Sequence, residues 1–244
     1  MHCQPDHERQ VYIWTKSEQS CLLCDEPADG PLPLCHPCEL ELPWLAGQCR
    51  CCALPLPVDG VLCGACLKRP PAFARVLAPW RYAFPVDSLI TRFKHQRQWP
   101  LGRLLAGALA EHLHQAFAQG LERPQALLPV PLSRARLRRR GFNQAALLAR
   151  WLGEALDLAV DERLLRRIQD TPAQQELDAA ARRRNLRGAF ALAEPAGVAG
   201  QHLALVDDVL TTGATAETLA RLLLKAGAAR VEVYCLARTP SPGD

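Results

Sequence analysis

Residues 203–215 read LALVDDVLTTGAT, an aliphatic run that ends in adjacent acids and then gives way to threonines and a glycine. The aliphatic part, LALV at 203–206, reads as a buried strand, and the pattern ATAETLARLLLKAG from residue 214 reads as a helix stopped by Gly227. Between them the chain must turn. The free amides and positive dipole end of a helix starting near Ala214 make an anion site, and Gly213 lets a phosphate approach the backbone. Hydroxyls of Thr211, Thr212 and Thr215 add donors around the same anion. Asp207 and Asp208 would repel a phosphate, so they serve another part of the ligand: vicinal hydroxyls, or a divalent cation in its water shell. Acid pair and phosphate cradle together describe a ribose 5-phosphate.

The surrounding pattern sets this turn in an α/β frame. ALLPV (126–130) and VEVYCLA (231–237) read as further buried strands, and NQAALLARWLGEAL (143–156) as a helix with Asn143 as its N-cap. Short apolar strands alternating with helices predict parallel pairing with helices on both faces, and ligands then bind at the carboxyl ends of the strands. Upstream, VLAPWRYAF (76–84) suggests an extended piece, followed by amphipathic helices over VDSLITRFKHQ (86–96) and LGRLLAGALAEHLHQAF (101–117). KRPPAF (68–73) breaks regular structure and places a domain boundary near residue 70. The organisation expected is an extension over 1–20, a cysteine-rich region over 21–70, the α/β domain over 71–239 and a disordered tail over 240–244.

The chain has eleven cysteines, and eight of them fall in CxxC pairs: Cys21 and Cys24, Cys35 and Cys38, Cys49 and Cys52, Cys63 and Cys66. Adding 28 to each member of the first four gives a member of the second four, which is an internal repeat. Each unit places two thiolate pairs at the tips of two turns, so that four sulfurs close a tetrahedron around one ion. Four thiolates suit Zn²⁺, with iron the alternative, and the filled coordination shell makes the sites structural. Pairing within each unit is the expectation; a cross-brace of first with third and second with fourth pair is the other solution. Cys51 can replace Cys49 or Cys52 as a ligand but breaks the repeat offset. Cys235, within VEVYCLA, reads as a small core residue.

Composition bounds the partners. No apolar run reaches the roughly 18 to 20 residues of a membrane helix, and the first twenty residues lack the apolar centre of a secretory signal, so a cytoplasmic protein is expected. The net charge of +4 is unevenly spread. Residues 1–70 carry five Lys/Arg against nine Asp/Glu (−4), and the remainder carries 24 against 16 (+8). The basic surplus thus accompanies the acid-threonine turn and suits an anionic ligand such as a polyphosphate, or nucleic acid.

VDDVLTTGAT, from Val206 through Thr215, resembles the phosphoribosyl-pyrophosphate (PRPP) signature of type I phosphoribosyltransferases. The double cysteine repeat, RPPAF, FKHQ at 93–96, PVPLSRARLRRRGFNQ at 129–144 and TPAQQELDAAARRRNLRGAF at 171–190 extend the likeness to the ComF/GntX family of double-zinc-ribbon phosphoribosyltransferase-like proteins. The resemblance implies a parallel-sheet, Rossmann-like α/β domain behind two structural zinc ribbons. It implies that Val206, Asp207, Asp208, Thr211, Thr212, Gly213, Ala214 and Thr215 bind PRPP, with Asp207 and Asp208 fixing the ribose hydroxyls. Pyrophosphate and its Mg²⁺ would meet the loop of Pro131, Leu132 and Ser133, with Arg134 and Arg136 close by. Residues 167–187 correspond to a lid over pyrophosphate, in which Gln174 and Asn185 fall at family positions and Arg182, Arg183 and Arg184 close the segment. Arg138, Arg139 and Arg140 read either as a solvated face or as a nucleic-acid contact, and Lys94 with His95 either faces an acceptor pocket or faces solvent. Phe142 packs rather than stacks on a base. The family's tie to natural competence implies partners in DNA uptake, with a PRPP or nucleotide sensor and a single-stranded-DNA adaptor as the rivals to a Mg²⁺-dependent transferase.

Overall fold

A computed structural model describes residues 19–169, 188–193 and 197–241. The chain divides into two compact units, residues 1–40 and 41–244.

In the smaller unit, Cys21, Cys24, Cys35 and Cys38 form one cluster beside helix α1 (His36–Leu40). In the larger unit, Cys49, Cys52, Cys63 and Cys66 form a second beside α2 (Gly64–Lys68). The 28-residue offset extends to the backbone. Cys21 N donates to Glu26 O and Cys49 N to Leu54 O, each at 2.8 Å, and Asp25 and Ala53 both take positive φ, at 63° and 51°. The same turn is built twice, and cysteines group within each unit, not as a cross-brace.

The larger unit is organised by a parallel sheet. Its strands are β1 (Arg75–Leu77), β2 (Trp80–Arg81), β3 (Ala126–Pro129), β4 (Ala159–Val160), β7 (His202–Leu210) and β8 (Arg230–Arg238). The order is β1-β8-β7-β3-β4, with β2 also on β8, and every pairing is parallel. The central strands are almost wholly buried, as a sheet covered on both faces requires. β5 (Leu165–Arg167) and β6 (Phe190–Leu192) make a separate antiparallel pair.

Helices α3 (Val86–Gln96), α4 (Trp99–Ala118), α5 (Arg134–Arg140), α6 (Gln144–Leu156) and α7 (Ala214–Lys225) complete the unit. The periodicity of 86–96 gives α3 its stated bounds, and Val86, Leu89, Ile90 and Phe93 are its buried stripe. α4 starts two residues before the apolar pattern does, because Pro100 suits a first helical turn. Gly102 brings α3 and α4 together: a Cβ there would lie 2.6 Å from the Phe93 ring and 2.9 Å from Trp151. α7 ends before Gly227, whose φ is +101°.

Two departures from the sequence pattern shape the site. β7 does not stop at Val206 but runs to Leu210, because β8 stays paired to it as far as Arg238. The arginine run, given no element by the sequence pattern, forms the short helix α5, started by Ser133, whose Oγ accepts from Arg136 N at 3.3 Å. The expected lid falls largely on residues 170–187, and Gln174, Arg182, Arg183, Arg184 and Asn185 lie outside the described residues.

Candidate active site at the fork of the sheet

β3 accompanies β7 only to the pair Pro129 and Val206, after which Val130 N still reaches Val206 O at 2.9 Å and then the chain departs. β8 continues beside β7, so Asp207 and Asp208 sit where the sheet forks. Successive side chains of a strand point to opposite faces. Asp208, 4% exposed, is paired at 2.7 Å with Lys94 Nζ from α3. Asp207 is half-buried, and its cross-strand neighbour is the buried Cys235.

Each carboxylate is also held by the backbone: Asp208 N donates to Asp207 Oδ1 at 2.9 Å and Val209 N to Asp208 Oδ1 at 2.7 Å. Burial, reinforced by the charge of Asp208, pushes the Asp207 carboxyl up to about 8. Burial, followed by the charge of Asp207, likewise pushes the Cys235 thiol up to about 12, so Cys235 remains the inert core residue that its apolar surroundings suggest.

Immediately downstream, Thr211 and Thr212 are exposed, and Gly213 takes φ +73° as the N-cap residue of α7. Gly213 offers no side-chain cap, so the helix presents its first-turn amides rather than covering them. Ala214 N is oriented by Thr212 Oγ1 at 3.4 Å, and Thr215 is half-buried beside it. A strand end, a left-handed glycine and a twelve-residue helix therefore converge at the turn from which the sequence leads to the expectation of a phosphate site.

On the β3 side, Pro131 and Leu132 are half-buried and Ser133 is 3% exposed. Asn143 ties this loop down: its Oδ1 caps α6 by accepting from Ala145 N at 3.1 Å, and its Nδ2 donates to Val130 O at 3.0 Å. α5 separates the arginines by function. Arg134, Arg138 and Arg139 are exposed, while Arg136 and Arg140, four apart, are half-buried on one side. Burial, with Arg136 and Arg139 close by, lowers the Arg140 pKa against the opposing pull of Asp208 and Asp207. Phe142 packs against Trp99 and Phe93 at ring separations of 4.7 and 5.9 Å.

Lys94 is the site residue that motif reading undervalues. Its signal is the helical spacing: four residues after buried Ile90, it lies at the edge of the buried stripe of α3 and can reach inward. His95 stays at the surface, its pKa lowered by burial and by Arg140 and Lys94. Arg238 is a second such residue. It closes the apolar run of β8, is 7% exposed, and bonds to the carbonyls of Cys52, Leu210, Thr211 and Thr239.

The cysteine centres have the donor set of closed tetrahedral metal sites: within each, the four Sγ atoms all lie within 4.8 Å of one another. Cys24 and Cys35 Sγ are 3.5 Å apart and Cys52 and Cys63 Sγ 3.6 Å apart, far beyond a disulfide bond of about 2.05 Å. Burial opposes ionisation of Cys21, yet amides of Cys35, Leu23 and Cys24 outweigh it and hold the thiol down to about 6. Cys49 repeats the arrangement at about 7, with burial outweighed by the amides of Cys52, Cys63 and Cys51. Cys51 is not part of the cluster; its thiol points at Phe73 O, 3.9 Å away. Four clustered sulfurs, one already poised as thiolate, fit Zn²⁺.

Sheet order, fork and cradle define an α/β protein of the phosphoribosyltransferase type, and the Phosphoribosyl transferase domain family matches residues 137–244. Along nearly its whole length the chain is similar to DNA utilization protein YhgH of Escherichia coli O157:H7, 39% identical over 221 residues covering 90% of this chain and 96% of that one. Competence protein F of Haemophilus influenzae is 37% identical over 84% of this chain and 90% of its own. Competence protein ComFC of Bacillus subtilis is 26% identical over 90% and 95%. The chain belongs to the ComF/GntX family of phosphoribosyltransferase-like proteins, with two four-cysteine clusters of the zinc-ribbon kind. No helix among the described residues is long and apolar enough to cross a membrane.

Proposed function

We propose that the chain binds PRPP at the fork of the sheet and transfers its ribose 5-phosphate to an acceptor, in a pathway that serves the use of DNA. The observation that carries this reading is the placement of an acid pair directly before an uncapped helix start with a left-handed glycine. The 5-phosphate meets the amides and hydroxyls of Thr211–Thr215, and the ribose hydroxyls donate to Asp207 and Asp208. Diphosphate lies toward Pro131–Ser133, beside which Arg136 and Arg140 are half-buried on one side of α5, and guanidinium forks match its oxygens. Mg²⁺ carried by the diphosphate neutralises leaving-group charge, and Asp207 is the acid group open to its water shell, since Asp208 is paired with Lys94. Two Zn²⁺ ions serve as structural cofactors at the cysteine centres. Catalysis is then positioning and electrostatics, with no side-chain nucleophile.

Calorimetric titration of the zinc-replete protein with Mg²⁺-PRPP tests this, beside the double change Asp207→Asn and Asp208→Asn. Saturable binding in the first and none in the second is expected; a folded, metal-loaded wild-type protein that does not bind overturns the reading.

A second reading has its own observation. The exposed arginines 134, 138 and 139 have no ion-pair partner among the described residues, and Trp99, 41% exposed, packs at a tilt against Phe142, while Arg97 donates to Arg140 O. Cations interleaved with aromatic rings suit single-stranded nucleic acid. That reading requires DNA affinity that falls steeply with salt and ignores Asp207→Asn.

A further inference from the structure

Arg238 stands between two features that the proposed reaction treats separately, the second cysteine centre and the phosphate loop. Its Nε donates at 2.9 Å to the carbonyl of Cys52, a member of that centre. From the other side of the same guanidinium, Nη1 donates to Leu210 O at 3.1 Å, to Thr211 O, and to Thr239 O at 2.6 Å. All its acceptors among the described residues are carbonyl or hydroxyl oxygens, so no carboxylate cancels its charge.

Two further contacts run in parallel. Ala72 N donates at 2.6 Å to Glu217 Oε2 in the first turn of α7. The Phe73 ring lies 3.8 Å from where a Cβ of Gly213 would stand, while Phe73 O accepts from Cys51 Sγ. Away from these contacts a cavity of about 730 Å³ separates ribbon from loop, lined by Cys52, Cys63 and Cys66 on one side and Thr211, Thr212 and Gly213 on the other. Coupling between the two therefore runs through discrete struts, and the planar guanidinium is the stiffest of them.

We infer that Arg238 is a positioning residue for the phosphate loop, through which metal at the Cys49–Cys66 centre tightens the loop's hold on a phosphate. The inference rests on the proposed reading of Thr211–Thr215 as a phosphate site. A metal fixes Cys52 within its turn, the Cys52 carbonyl fixes the guanidinium, and the guanidinium fixes the carbonyls of Leu210 and Thr211, which orient the amides that follow. It also holds an uncancelled positive charge under the anion. Because coupling is reciprocal, a bound phosphate must slow loss of metal from that centre.

The test uses the full chain loaded with zinc. Ribose 5-phosphate is titrated into wild type, Arg238→Met and Arg238→Lys, and zinc release to a chromogenic chelator is timed with and without that ligand. Wild type is expected to bind, and its release of zinc from the Cys49–Cys66 centre is expected to slow roughly tenfold when the ligand is present. Arg238→Met should keep two zinc ions, bind roughly tenfold more weakly and lose the ligand's effect on release. Arg238→Lys, which keeps the charge but cannot span Cys52 and Thr211 together, should lose the effect on release as well. Unchanged ligand protection of zinc in both variants overturns the inference.

A third measurement needs no ligand. Hydrogen exchange at the amides of 211–214 should quicken on zinc removal in the wild type, and unchanged exchange overturns the strut even if a variant fails to fold. A wild type that binds no ribose 5-phosphate sinks the phosphate-site reading, while the exchange result still decides whether ribbon and loop are coupled.

Discussion

Asp207 and Asp208 are neighbours in sequence with opposite electrostatic roles, because the Lys94 ammonium pairs with Asp208 alone. Asp208 is buried with a cation at 2.7 Å, whereas Asp207 is half-buried beside another acid. Its carboxyl rises from 3.8 to about 8, so the folded state holds a proton that the unfolded state has released across that interval. Stability is full below pH 4 on this account and falls as pH rises through 8. Asp207→Asn should flatten that fall in urea unfolding curves taken between pH 5 and 9, and an unchanged slope would refute the assignment. Lys94→Met leaves Asp208 as a buried charge without its ion-pair partner and should cost about 3 kcal/mol. Adding Asp208→Asn should recover most of that loss, which a double-mutant cycle in urea would read. Gly213→Ala forces a side chain into φ +73°, for a cost of roughly 1 to 2 kcal/mol together with weaker phosphate binding.

At the scale of elements, α3 and α4 owe their close approach to Gly102, where any Cβ meets aromatic rings from two directions. Gly102→Ala should therefore destabilise by about 1 to 3 kcal/mol although alanine is the better helix former, and thermal unfolding would show it. α3, α6 and α7 were legible because an amphipathic helix writes its period into the sequence, and Asn143 and Gly227 marked two of their ends. The length of β7 was not legible: an acid pair ends an apolar run, but strand length is set by the partner, and β8 stays paired to Arg238. α5 was hidden for a different reason. A helix of seven residues with five arginines has no apolar stripe, and its start depends on the Ser133 cap and on the backbone tie from Asn143. The candidate site followed the same division. Its motif residues announced themselves, whereas Lys94 and Arg238 became site residues through contacts between elements far apart in sequence.

Across the whole molecule, the repeat made two copies of one turn and gave them different surroundings. In the first copy Cys24 is exposed and Cys38 half-buried, while all four cysteines of the second are buried, within the core of the larger unit. Val76 N bonds to Cys51 O at 2.8 Å, so strand β1 itself is continuous with the second ribbon. The two centres should then differ in both rate and consequence of metal loss. A chelator able to compete for zinc should draw one equivalent quickly, from the solvent-accessible first centre, with little change in near-ultraviolet circular dichroism from the buried aromatic residues of the larger unit. The second equivalent should leave more slowly and take that signal with it, because its ligands Cys49, Cys52, Cys63 and Cys66 share a core with Phe73, Leu205 and Leu219. Cys24→Ser should remove the fast phase and leave the slow one intact. Release of both ions in a single phase would mean that the larger unit does not shelter its own centre, and that burial of the second ribbon adds nothing to its hold on metal.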